Sequence, residues 1–123
     1  MTLPYVIDTG RRRARATLAG RVAGCDIAET IEAIYLDPHW QSGFDSIWDA
    51  TGITELLLDM DEVSRFLNLK VQYQTIAGPG RIVLLVSRSL DYGMAKVFAV
   101  LAKGGPRSVH VVKTESDVTQ ILG

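Results

Sequence analysis

The sequence predicts an α/β fold: one domain over residues 1–123 with a central, mixed, mostly parallel five-stranded sheet and helices packed on it. Two observations carry this. Ile82 to Val86 are five apolar residues in a row, bounded by Gly78-Pro-Gly80 before and Ser89 after, which reads as a strand buried on both faces. Burial on both faces requires helices above and below, so a bundle or a sandwich is excluded. The remaining chain alternates two-residue and helical periodicities in the order β-β-α-β-α-β-α-β-α, and right-handed crossovers from residue 13 onward make those strands largely parallel.

Tyr5 to Asp8 and Arg13 to Leu18 form a hairpin around Gly10. Alternation puts Ala14, Ala16 and Leu18 toward the core and Arg13, Arg15 and Thr17 toward solvent, with the arginines discouraging further pairing at a sheet edge. Gly20 to Gly24 reads as a connection. Asp26 and Glu29 then have capping-box spacing, and Ile27, Ile31, Ile34 and Tyr35 make one apolar stripe that Asp37-Pro38 ends. Phe44 to Asp49 is a strand that Thr51-Gly52 stops, and Ile53 to Leu58 crosses over. Asp59 with Glu62 caps a helix carrying Val63, Phe66, Leu67 and Val71 inward and running to about Ile76. After the central strand, Ser89 caps a helix with the stripe Leu90, Met94, Val97, Phe98 and Leu101, broken by Gly104-Gly105-Pro106. Ser108 to Val112 is the last strand. Thr114 with Asp117 caps a closing helix that buries Val118, Ile121 and Leu122.

Thirteen basic residues against fourteen acidic give a formal charge of -1, so no global field draws nucleic acid or acidic lipid. No apolar run approaches the roughly 18 residues of a membrane span. The opening Met-Thr-Leu-Pro has no charged leader, and Cys25 has no partner for a disulfide; both point to a reducing cytoplasm.

The chain resembles the SpoIIAA-like members of the STAS superfamily, whose fold also resembles CRAL-TRIO lipid-carrier domains. The residues that carry this are Leu18-Ala-Gly20, Asp37-Pro-His-Trp40 with Gly43 leading to a strand ending at Asp49, Arg81-Ile-Val, and Leu90-Asp-Tyr-Gly-Met-Ala95. The resemblance spans nearly the whole chain. It implies a regulatory module like the anti-sigma-factor antagonists, in which a kinase phosphorylates a serine or threonine at a helix start. Here the chain departs from the pattern. Asp49-Ala-Thr51-Gly52 matches the phosphorylated motif superficially but ends the preceding strand, and the motif's own place holds Asp59-Met-Asp61-Glu62, which has no hydroxyl. A phosphate there would meet like charge.

Four sets of residues are candidates for chemistry or binding. Trp40, Tyr92, Gly93, Met94 and Phe98 could line a groove for an apolar or lipid-like ligand, or serve a homodimer contact; the plain alternative is that Met94 and Phe98, at helical spacing, are core. Asp49, Ser87 and Lys113 end three strands on one sheet edge, which resembles the aspartate, hydroxyl and lysine of a phospho-receiver. A receiver also needs an acidic pair for magnesium, and the first strand supplies only Asp8. Arg11, Arg12, Arg13 and Arg15 could meet an anionic partner, although basic runs at turns are usually solvated. His39 and His110 have no metal-ligand spacing, and Cys25 has no recognisable base beside it. The reading these support is a non-enzymatic STAS-like module that binds a regulatory protein, a second copy or an apolar ligand, with no cofactor, metal or nucleic acid. The alternative is a phosphotransfer component using Asp49, Ser87 and Lys113.

Overall fold

The computed structural model describes residues 1–123. In chain order the elements are β1 (Tyr5–Asp8), β2 (Arg13–Ala23), α1 (Gly24–Leu36), β3 (Asp45–Leu57), α2 (Met60–Gln72), α3 (Gln74–Ala77), β4 (Gly80–Leu85), α4 (Ser89–Leu101), β5 (Arg107–Val112) and α5 (Glu115–Leu122). They form one five-stranded sheet in the order β1-β2-β3-β4-β5. β1 is antiparallel to β2 and the other neighbours are parallel.

Because the strands lie in sequence order, right-handed crossovers put α1, α2 and α4 on the same face. α5 follows the last strand and packs on the other, where Val118 closes over Ile47, Val83 and Leu85. β4, the fourth of the five strands, is therefore sandwiched between helical layers. Its alternate residues Ile82, Leu84 and Val86 look toward α1, α2 and α4. On β2, Ala14, Ala16 and Leu18 are buried as two-residue alternation requires, and they join Val22, Ile34, Trp40 and Phe44 in the largest core cluster.

Several local expectations are corrected by the structure. Gly20 to Gly24 is not a connection, since β2 runs on to Ala23; Thr51-Gly52 likewise does not stop β3, which runs to Leu57. The two strands stay paired through register shifts between Thr17 and Ala19 and between Gly20 and Arg21. Gly20 lies at φ 70°, and a side chain at Gly52 would bring its Cβ within 3.2 Å of Ala19 Cβ, so both glycines belong to a bulged ribbon. α1 starts earlier than expected: Asp26 is the third helical residue, and its carboxylate accepts the Ala23 N–H at 3.2 Å. The Asp59/Glu62 capping box is reciprocal, with Asp59 Oδ1 accepting the Glu62 N–H at 2.9 Å and Glu62 Oε1 accepting the Asp59 N–H at 3.2 Å. α2 ends at Gln72 and turns at Tyr73 into the short α3, so Leu69 is buried and Val71 faces out.

α4 differs most from its sequence reading. Ser89 is its first helical residue and not its cap; Arg88 holds the cap position without a side-chain bond. Of the expected stripe, Leu90, Val97 and Leu101 are exposed, and the helix turns Asp91, Met94, Ala95 and Phe98 inward. These four fall at i, i+3, i+4 and i+7, one face of a helix.

Candidate functional site

Beneath that face lies a cavity of about 130 Å³. Its floor is the sheet: Leu18 from β2, Trp48, Ala50, Ile53 and Leu56 from β3, and Ile82, Leu84 and Val86 around β4. Ile27, Ile31 and Tyr35 of α1 and Val63 and Phe66 of α2 wall one side, and α4 roofs the other. The far half of the β2–β3 ribbon extends past the pairing of β3 with β4, which stops at Asp49, and so supplies a wall at the strands' C-terminal end. Arg88 fastens the start of α4 to it, its Nη1 donating to Ile53 O at 3.3 Å. Leu84, Met94 and Phe98 remain half-buried although they sit mid-structure, so the cavity is open on one side.

Of nineteen lining residues, seventeen are hydrophobic; the other two are Lys70 and Asp91. Lys70 follows Val63 and Phe66 on the buried stripe of α2. Burial, and secondarily the charge of Arg107, holds its amine below the usual lysine range. Arg107, the first residue of β5, is only 2% exposed. It donates from Nη1 to Ala77 O and Gly78 O and from Nη2 to Arg81 O, each at 3.3 Å, and its guanidinium lies 5.4 Å from the Trp40 ring centre. Burial lowers its pKa, partly offset by Tyr35 and Asp45. Tyr35 is pushed up by burial and drawn back by Arg107. At the opposite end Asp91, in the first turn of α4, is buried and has Arg88 Nε at 3.4 Å from its Oδ2.

The residues expected to make a groove are divided. Met94 and Phe98 line the cavity. Trp40 does not: it is a core residue whose Nε1 donates to Ile76 O at 3.1 Å and whose ring meets Tyr35 and Phe44 edge-on at 5.0 Å and 5.6 Å. Gly93 is exposed with open space around it. Tyr92 lies beside a shallow hollow at β5 under Lys113, whose Nζ is 4.5 Å from its ring centre.

Asp49, Ser87 and Lys113 do not converge. Asp49 is mid-strand and shares its carboxylate between Arg15 Nη2 at 2.9 Å and Thr51, whose hydroxyl donates at 2.6 Å. Burial raises the Asp49 pKa, but these donors outweigh it and hold the carboxyl below the ordinary 3.8. Ser87 reaches Thr51 O at 3.5 Å, and Lys113 turns to Tyr92. No three His, Cys, Asp or Glu side chains are gathered as a metal cluster would require. The arginine run is dispersed as well. Arg11 stays at the turn beside Asp8, and Arg12 lies over Phe44. Arg13 donates to the carbonyls of Leu122 and Gly123, while Arg15 bridges Asp49 and Glu115. The run mainly ties the hairpin to β3 and α5.

The fold can be placed by likeness to a solved structure. An uncharacterised DUF3478-family protein of Shewanella loihica PV-4, itself described as having a SpoIIAA-like fold, superposes with a TM-score of 0.58 over 90% of this chain and 84% of that one, at 13% sequence identity. This chain has a SpoIIAA-like fold. At that identity the likeness carries architecture alone. No protein-family model and no curated protein matches the sequence. No helix of this SpoIIAA-like chain is long and apolar enough to cross a membrane.

Sequence reasoning missed Lys70, Leu84, Asp91, Ile53 and Leu56. A signal existed for two of them. Lys70 continues the spacing of Val63 and Phe66, and Asp91 shares the Met94–Phe98 face; each is a charge on an apolar stripe.

Proposed function

We propose that this SpoIIAA-like domain is a non-enzymatic binding module that holds a small apolar or lipid-like ligand between the sheet and α4. The observation that supports this is the continuous hydrophobic lining, which leaves Leu84 half-buried between the fully buried Val83 and Leu85. A strand residue in the middle of a packed sheet is ordinarily covered; here the volume above it is left for something else. The test is native mass spectrometry of the purified chain, followed by titration with an environment-sensitive apolar dye. A co-purified small molecule, or dye enhancement that apolar compounds reverse, is the expected result. A ligand-free mass together with no dye response overturns the reading.

A second reading, a protein partner, has its own observation. Leu90, Val100 and Leu101 are 79%, 61% and 51% exposed on the outer side of α4. Exposed apolar groups concentrated on one helix suit a contact surface. We expect Leu90→Glu to leave dye binding intact and to abolish any self-association seen by sedimentation; unchanged association removes this face from the contact.

A further inference from the structure

We infer that the cavity's ligand is a single-chain carboxylate, bound with its anionic head at Lys70 and its hydrocarbon tail pointing toward Asp91. The inference rests on the ligand-binding reading and adds the ligand's class and direction.

The topology puts the two charged lining residues at opposite ends. A helix between parallel neighbouring strands runs back along them, so the last turn of α2, with Lys70, lies at the strands' N-terminal edge. Arg107 opens β5 at that same edge, paired in register with Gly80. Gly80 and Arg107 are two residues before Ile82 and Val109, so they share the cavity face of the sheet. The first turn of α4, with Asp91, lies at the strands' C-terminal edge.

The ends differ in how their charge is balanced. Asp91 has Arg88 beside it. Lys70 has no ion pair and feels the charge of Arg107; Arg107 bonds only backbone carbonyls, its Nε is buried without a partner, and Asp45 offsets its burial only in part. Buried cations are ordinarily paired, because desolvating them unpaired is costly. Lys70 lines one end of the apolar cavity, with Arg107 at the same edge of the sheet, and makes a place where an incoming anion replaces lost solvation and offsets like-charge repulsion. A carboxylate has the lone pairs to accept from the Lys70 ammonium in a charge-assisted hydrogen bond. The Asp91 end repels the same group, which sets the ligand's direction. A cavity of about 130 Å³ is close to the dry cavity that takes benzene, so a chain on the order of six carbons fits inside without moving α4 and an eight-carbon chain reaches out through the open side.

The experiment is calorimetric titration of the full chain with octanoate, 1-octanol and octylamine, repeated on Lys70→Met and Lys70→Arg. Circular dichroism and thermal melting check that both variants fold; Lys70 is half-buried on a helix that methionine suits equally. We expect octanoate to bind about tenfold or more tighter than octanol, as one charge-assisted hydrogen bond provides. Lys70→Met should erase that preference with octanol affinity unchanged, and Lys70→Arg should keep it. Equal affinity for octanoate and octanol, a preference for octylamine, or an octanoate affinity indifferent to Lys70→Met overturns the head-group assignment while leaving the ligand reading standing. Binding of none of the three overturns both.

Discussion

Helices α4 and α5 cover opposite faces of the same sheet, and they do so very differently. α5 has eight residues, yet Val118 is buried against Ile47, Val83 and Leu85. Its start is capped by Thr114 Oγ1, which accepts the Asp117 N–H at 3.1 Å, and its end is held by Arg13 and Arg81, which donate to the carbonyls of Leu122, Gly123 and Ile121. α4 has thirteen residues and is far richer in apolar side chains, but Asp91 is the only one of them fully buried. Apolar content therefore does not by itself seal a helix onto a sheet. What seals α5 is complementary shape at one contact and hydrogen bonds at both ends; α4 lacks a capping side chain and stands off over a cavity.

The sharpest way to break this contrast is to truncate neighbouring residues of β4. Leu85→Ala, on the α5 face, should cost about 2–5 kcal/mol, because the packed site cannot collapse around the missing atoms. Leu84→Ala, already beside open volume, should cost only about 1 kcal/mol. Urea unfolding measures both, and equal losses would mean that the two faces are packed alike.

The caps give the next largest difference. Thr114→Ala should destabilise by about 1 kcal/mol, while Ser89→Ala should fall within about 0.5 kcal/mol of the parent, since no hydroxyl caps α4. Comparable shifts in melting temperature would contradict that asymmetry. Filling the cavity tests it from the other side. Ala95→Leu should add stability of about 0.5–1 kcal/mol and abolish dye uptake, as expected when unused volume becomes packed core. A destabilised variant that still takes up dye would show that Ala95 does not border the binding volume.

The smallest effect concerns pH on the α5 face. Asp49 has a lowered folded-state pKa, so its contribution is complete above the ordinary carboxyl value of 3.8 and is lost as pH falls through the lowered value. Asp49→Asn should flatten that acid limb by about 0.5 kcal/mol, in the range of part-exposed ion pairs. Stability measured from pH 5 down to pH 2 checks it; an unchanged acid slope would mean that the Arg15 and Thr51 contacts do not favour the ionised form.

Several elements were readable from local pattern. The run Ile82 to Val86 identified a strand with helical layers on both sides, because consecutive apolar residues in extended chain face both ways; four of the five are buried, and Leu84 is half-buried over the cavity. Asp59 with Glu62, and Thr114 with Asp117, announced two helix starts through spacings that only a helical turn brings into hydrogen-bond range. The misreadings have physical causes. Glycine at positions 20 and 52 suggested chain stops, but glycine also permits a bulge and close strand approach, and the long ribbon uses it so. Trp40 suggested a loop anchor beside a ligand, yet the short helix α3 presents Ile76 O to its indole, and the ring is buried in the core.

The order and type of the elements were set by information a few residues long: periodicity, capping spacings, and the punctuation at Gly78-Pro-Gly80 and Gly104-Gly105-Pro106. With strands in sequence order, chain chirality then places the three crossover helices α1, α2 and α4 on one face, while α5, which joins no further strand, is put on the other by its packing. Which side of α4 meets the sheet was decided only in three dimensions. Its apolar residues occupy more than one face, so periodicity allows several rotations; the selected one joins Asp91, Met94 and Phe98 to the floor of the cavity. The facing of Lys70 toward Asp91 across apolar volume has the same origin, since the two residues come from different helices and meet one space only after the sheet has assembled between them.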